Sequence, residues 1–600
     1  MEILFRNPVP FADSKAHTNP DPYVLRWCGT YYCYATDADG VKVSSSPDMV
    51  HWTRHGYAIQ QEGRHDFWAP AVIWRNGTFY MYYSSNPVGE DDGNGEKMQL
   101  AVSSSPLGPF IWQKTLFSTF SIDAHPVVWE GEVYLFYSVN NWVGNSPDAP
   151  GTCILVDKLV APDRLEGRPA PVVLPSLPQE IYEKNRFGDG RDWYTIEGAC
   201  FVPGPQRSFL LYSANCYTDV NYYVGYSWAE NKKDLREMEW HKHTLDGEWA
   251  PLIRKNEQVE GTGHNTVAFA PDLAGLWMVY HGRDATQAIR PGEEQRQMHI
   301  APLEQGMRGL YMAPPTTDAQ PVPAAPGCFA RELTLRDCEE VEVCAAPQDL
   351  RAEMWLKPRL LHTGARYGIV LRDNGQGDRL EVQFNSGRGS VTVWETLGNL
   401  RRRLADARLS ADTDPFVPHL LQIDCTGDRW VLRYDETHLL TFSSRVQGGS
   451  LRLCAYYSEL TVYGLTVTDH AELWGTDTAL LGERFVCSPA AADEEGLHGN
   501  KGTLTLRRAR PSDKEEIFTL QADRNAQVTV RTGEESFTLP FRSECVLRCR
   551  WEGSSAELRH NGVIVCRWQD LPAGDVEFTV ENGVLTSWHC TKICCKPQII

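Results

Sequence analysis

Three acidic residues lead three similar apolar stretches of this chain. Asp21 precedes Tyr23-Val24-Leu25, Asp123 precedes the run from Ala124 to Trp129, and Glu197 precedes Ala199-Cys200-Phe201-Val202. Two further stretches share the pattern with other residues in the leading place, Trp68-Ala69 and His264. Each then passes a turn and enters an aromatic strand. From Ile122 to Ser138 the turn is Glu130-Gly131, between two runs rich in Val and Tyr. Such runs, split by a short turn ending in Gly, predict a β-hairpin. Carboxyl groups that converge raise one another's cost of ionising. A purely structural role gives no reason to gather three of them, whereas a site that moves protons does.

The elements that would gather them follow from the repeat. Five hairpins recur at irregular intervals over the first half of the chain, and the first two run on into the matching turns Ser44-Ser45-Ser46-Pro47 and Ser103-Ser104-Ser105-Pro106. Closed radial repetition of small sheets makes a β-propeller. The first strand of each blade lines the central channel, so equivalent positions meet at one end of it. In this register those positions hold Asp21, Trp68, Asp123, Glu197 and His264. Taken singly each has a plainer reading: Asp21 before Pro22 is a common turn former, Trp68 suits a core, and His264 suits a satisfied buried imidazole. The shared register favours a common site.

The chain has 600 residues and a formal net charge of −20, with no basic stripe, so nucleic acid is not an expected partner. No apolar run reaches the length of a membrane span. The N-terminal residues show no basic segment followed by an apolar core, and the expected compartment is a bacterial cytoplasm. The 17 cysteines are then read as buried thiols. Cys590, Cys594 and Cys595 lie close together without the further ligands a zinc site needs. Oligomeric state is not legible.

The fold class expected is all-β: a five-bladed β-propeller followed by one or two β-sandwich domains. The propeller is placed at residues 1–315. Residues 86–97 form a polar loop, and residues 162–193 a long irregular segment shaping the pocket. Residues 311–328, rich in Pro and Ala, read as a linker or a strap leading to the next domain. Beyond it, alternating stretches such as Leu380 to Phe384 predict half-buried antiparallel strands. They give a concanavalin-like β-sandwich at 330–470 and a second sandwich-like domain at 471–600.

Several short motifs occur in order at the repeat positions: Asn19-Pro20-Asp21-Pro22, Trp68-Ala69-Pro70, Ile122-Asp123-Ala124-His125-Pro126, Ile196-Glu197-Gly198, Gly263-His264-Asn265, and Asp48-Met49-Val50-His51-Trp52. Together they resemble family 43 of the glycoside hydrolases, five-bladed propellers that cleave pentose-containing plant polysaccharides with inversion. The resemblance implies an α-L-arabinofuranosidase or β-xylosidase acting on oligosaccharides. Cleavage needs an acid to protonate the leaving oxygen and a carboxylate to activate water. Glu197 is implied as the acid, Asp21 as the base, and Asp123 as the group that holds substrate and raises Glu197. Arg296 matches an arginine of the sugar-binding subsite, there to orient Asp123 or to bind sugar hydroxyls. Trp68 is a candidate sugar platform, with Trp193, Phe67 and Trp142 as further pocket candidates. No cofactor is required, and His264 is open to three readings: a core residue, a substrate contact, or part of a calcium shell through water. Ala71 stands where many relatives have an acid, which puts the substrate assignment in question. A fructan- or galactan-active propeller and a non-catalytic carbohydrate-binding propeller are the competing readings. Fructan enzymes carry Arg before the middle aspartate and Cys after the acid; Ile122 and Gly198 occupy those places here.

Overall fold

In this computed structural model, residues 3–89, 95–140, 149–594 and 596–600 are described. The chain divides into two units. One comprises Met1–Ala270, Leu276–Leu303 and Met312–Pro323, and the other Pro271–Gly275, Glu304–Tyr311 and Ala324–Ile600. Helical segments among the described residues are short 3₁₀ turns such as Pro178–Glu180, and none of these helices is long and apolar enough to cross a membrane.

The first unit carries five small antiparallel sheets, each ordered as its strands occur in sequence. Their innermost strands are Tyr23–Trp27, Arg64–Arg75, Ile122–Trp129, Ile196–Val202 and Val259–Phe269. These are the five hairpins expected from the repeat, and the fold is the propeller. The Glu130-Gly131 turn has φ of 50° and 81° at its two residues, the left-handed pair that a tight hairpin demands. Between neighbouring sheets the strands bury aromatic and branched side chains. Phe136 stacks on Phe201 at 5.7 Å, and Trp129 meets the same ring edge-on at 5.6 Å.

The ring is closed by the N-terminal segment. Asn7 exchanges two hydrogen bonds with the backbone of Ile300, at 2.9 and 3.0 Å. Val9 N–H donates to the Met298 carbonyl and Asn19 N–H to that of Arg296, both at 2.9 Å. Between them Ala12 N–H donates to the Trp52 carbonyl of the first blade at 2.8 Å. Residues 7–19 thus stitch the last blade to the first. Leu4–Phe5 pairs with Gln320–Pro321, so the Pro-rich stretch read as a linker contributes a short strand.

The segment 162–193 is more regular than expected. Arg164–Leu165 and Ala170–Val173 add to the third blade, and Ile181–Glu183 pairs with Trp193–Tyr194. Of the loop 86–97, residues 90–94 lie outside the described residues, as does Trp142. Cys33 and Cys200 are buried thiols; Cys595 lies outside the described residues.

The second unit holds two hydrophobic cores. A seven-stranded and a six-stranded sheet enclose the first, which includes Leu356, Val382, Trp430 and Val462. The other is built differently. The strand Lys514–Thr532 changes partner along its length, pairing with Val584–Lys592 in its first half and Asp575–Glu581 in its second. Its register with Glu535–Glu552 breaks between Ala522 and Ala526. One continuous sheet therefore supplies both faces around Phe518, Trp551, Phe578 and Trp588, because a bulge lets a long strand turn from one face to the other.

Candidate active site

The inner strands share a local irregularity. Asp21, Ala69, Asp123 and His264 are left-handed, with φ of 52°, 41°, 59° and 41°, and Gly198 beside Glu197 has φ 67°. In the last four blades the ladder loses register at these places, between Trp68 and Ala71, Ile122 and His125, Glu197 and Cys200, and Gly263 and Thr266. A bulge re-aims a side chain that regular pleating would send between blades. Non-glycine residues in this conformation cost energy and collect where function holds them.

The result is one cavity of about 150 Å³ whose lining includes Asp21, Trp68, Asp123, Trp193, Glu197, His264 and Arg296. Seven of the residues singled out by sequence therefore face one space. Phe67 does not: it is buried against Tyr83, ring on ring at 5.6 Å. The wall also holds Tyr182 and Arg186, from the segment expected to shape the pocket, and Thr36 and Tyr217, which the sequence did not point to. The floor is buried, with Asp21 at 8% exposure and Asp123 at 6%, whereas Tyr217 at the rim is 37% exposed.

Asp21 is held as an anion. Its Oδ1 accepts from Arg296 Nη1 at 3.1 Å and lies 3.2 Å from His281 Nδ1 and 3.5 Å from His264 Nδ1. Its Oδ2 accepts from the Thr36 hydroxyl at 2.6 Å, and that hydroxyl itself accepts the Ala69 N–H at 2.9 Å. The Ala69 bond leaves the Thr36 proton directed at Asp21. Burial pushes the Asp21 carboxyl up, but Arg296 and the imidazoles outweigh it and hold it well below the usual range. Arg296 is the permanent cation of the group, because burial drives His281 down to about 4 and lowers His264 as well. Glu294 grips the far side of Arg296 at 2.6 and 2.9 Å, and Tyr217 lies under its guanidinium at 4.8 Å.

Glu197 is tuned the other way. Burial and the charge of Asp21 push it up, the Tyr222 hydroxyl donating to Oε1 at 2.7 Å pulls it down, and the balance is about 7. Asp123 accepts the Gly198 N–H on Oδ2 at 2.9 Å. Burial and then Glu197 raise Asp123 well above its ordinary value. The two carboxyls are coupled, so their titration belongs to the pair. Burial is the leading cause of the Glu197 shift, and the charge that adds to it is that of Asp21, not the Asp123 charge expected from sequence. Tyr222 is fixed in turn by Gly263, where a Cβ would come within 1.9 Å of Tyr222 Cε1. Tyr222 also stacks on His281 at 5.7 Å.

His264 lines the cavity beside Asp21. Asp21, the carboxylate beside it, is already paired with Arg296. Among the described residues no three His, Cys, Asp or Glu side chains form a metal-holding group.

The family model for glycosyl hydrolases family 43 matches residues 5–306, just over half of the chain. A probable arabinan endo-1,5-α-L-arabinosidase C of Aspergillus clavatus is 30% identical over 95 residues, 15% of this chain and 30% of that protein. Its Aspergillus niger namesake is 37% identical over 81 residues, 12% of this chain and 25% of that protein. The chain thus spans less than a third of these curated relatives. Among solved structures, a thermostable family-43 glycoside hydrolase is 31% identical, with 54% of this chain and 99% of that chain covered at a TM-score of 0.45. An α-L-arabinofuranosidase from Lactobacillus brevis is 19% identical, with 52% and 97% covered at a TM-score of 0.43. On the match that runs through all five blades and the three acids, the chain belongs to family 43 of the glycosyl hydrolases.

Proposed function

We propose that the propeller hydrolyses glycosidic bonds with inversion, removing terminal α-L-arabinofuranosyl or β-D-xylosyl units from plant-derived oligosaccharides. The observation that carries this reading is the opposite tuning of two carboxyls in one pocket: Asp21 held ionised by Arg296, Glu197 held up to about 7 by burial. Groups pushed apart in this way divide the roles of base and acid. Water attacks the anomeric carbon and gives its proton to Asp21. The bond to the leaving oxygen breaks as Glu197 passes its proton to that oxygen. Solvent then resets both groups, and the proton count closes without a cofactor. Thr36 and Arg296 hold Asp21 in place, and the Gly198 N–H ties Asp123 to the backbone beside the acid. The Trp68 and Trp193 rings offer flat apolar faces to a sugar.

A panel of aryl glycosides tests the reading: α-L-arabinofuranoside, β-D-xyloside, β-D-galactoside and β-D-fructofuranoside, with Glu197→Gln alongside. The expected result is activity on one pentoside, lost in the variant, with NMR showing the inverted anomer as first product. Activity confined to the fructoside or galactoside, or a wild type silent on all four and on pentose oligosaccharides, would overturn it. Release of oligomers rather than single pentoses from an arabino-oligosaccharide would replace terminal by internal cleavage.

A further inference from the structure

Arg186 lines the cavity without spending its hydrogen-bonding capacity. Its guanidinium lies over three rings, Tyr182 at 4.9 Å, Trp193 at 5.4 Å and Phe187 at 5.6 Å. Among the described residues its ionic partner is Glu183, 3.7 Å away and 55% exposed, and it makes no hydrogen bond. Three aromatic faces fix the planar cation, so little side-chain entropy remains to be lost on binding. Its five N–H donors stay open in a fork that matches paired oxygens. By contrast Arg296, in the same cavity, is fully engaged by Asp21 and Glu294.

Its place in the chain gives the direction. The strand pair Ile181–Glu183 and Trp193–Tyr194 leads through Thr195 directly into Glu197. The acid must touch the oxygen that leaves, so the sugar bearing that oxygen lies against the Glu197 side. The attacking water and Asp21 occupy the opposite face. The wall that continues into Glu197 is therefore the wall the departing sugar meets.

Resting on the function proposed above, we infer that Arg186 determines specificity for the leaving-group sugar by donating its fork to a vicinal pair of hydroxyls on that ring. It would contribute nothing to holding the sugar that is cleaved.

The test compares a pentosyl disaccharide with the glycosyl fluoride of the same pentose, which carries no second sugar. Arg186→Lys keeps the charge over the rings and loses the fork; Arg186→Ala loses both. Both variants should lower kcat/KM on the disaccharide by about 10- to 100-fold while leaving the fluoride within about twofold. Thermal unfolding checks folding, and if the Ala variant is destabilised the Lys variant is the one read. Equal losses on both substrates, or no loss on the disaccharide, overturn the inference while leaving the hydrolase reading intact. A wild type inactive on both overturns the hydrolase reading, and this inference with it.

Discussion

Tyr222→Phe should move the alkaline limb of the pH profile upward. The Tyr222 hydroxyl donates to Glu197 Oε1 at 2.7 Å, and its ring stacks on His281 with 7° between planes. Phe keeps the ring and removes the donor. A hydrogen bond to a carboxylate is worth ~1.5–3 kcal/mol and one to a neutral carboxyl about half of that. The difference, roughly 0.75–1.5 kcal/mol, is about half to one pH unit. In the proposed role of acid Glu197 must be protonated, so kcat/KM should fall as pH rises through about 7 in the wild type. In the variant that fall should come about half to one unit higher. The assay is kcat/KM on the preferred aryl pentoside from about pH 4 to pH 10. Asp21 is held well below the usual carboxylate range, so its acid limb should fall below this window in both proteins. An alkaline limb that is unmoved or shifted downward would refute the reasoning, because Tyr222 would then not be stabilising the charged form.

Gly263→Ala should act through the same tyrosine, since its Cβ would lie 1.9 Å from the Tyr222 ring. A matching alkaline shift is expected, with a stability loss of about 1–3 kcal/mol in denaturant titration. Arg296→Gln removes the cation that holds Asp21 down. The acid limb of kcat/KM should move to higher pH, and an unmoved limb would assign that limb to another group. Glu197→Gln tests the linkage to stability. The folded-state value of Glu197 is raised to about 7, so its contribution is full below the ordinary glutamate range and is lost as pH rises through about 7. The wild type should therefore lose about 3 kcal/mol across that window relative to the variant. Parallel stability curves for the two proteins would contradict this.

Part of this site was legible because the repeat fixes register. Asp21, Trp68, Asp123, Glu197 and His264 lead equivalent strands, and equivalent strands of a propeller meet at one channel end. Arg296 was found through a motif. What was missed comes from places where register carries no sign of chemistry. Thr36 follows the second strand of its blade, Tyr222 reads as one more aromatic just before a strand, and Arg186 sits in a stretch without periodicity. Their roles depend on which blade lies alongside, which a single strand's sequence does not encode. The left-handed bulges were hidden as well. Asp21 and Asp123 tolerate that conformation, but Ala69 gives no hint of a φ of 41°. The second core of the C-terminal unit was expected as a sandwich. Its single continuous sheet follows from one strand of 19 residues, whose exchange of partners leaves the alternating pattern unchanged.

Closure of the ring by residues 7–19 has a consequence for when the site is complete. Asp21 lies near the start of the chain, and Arg296 follows it by 275 residues. At ordinary translation rates the two leave the ribosome on the order of tens of seconds apart. Such long-range pairing is also slow to form for entropic reasons. A nascent chain that ends before Val259 already contains Asp21, Asp123 and Glu197, yet its first acid has no guanidinium and neither of the imidazoles beside it. The last blade to be made thus completes the charge state of the first, and the pocket of acids awaits the finished circle.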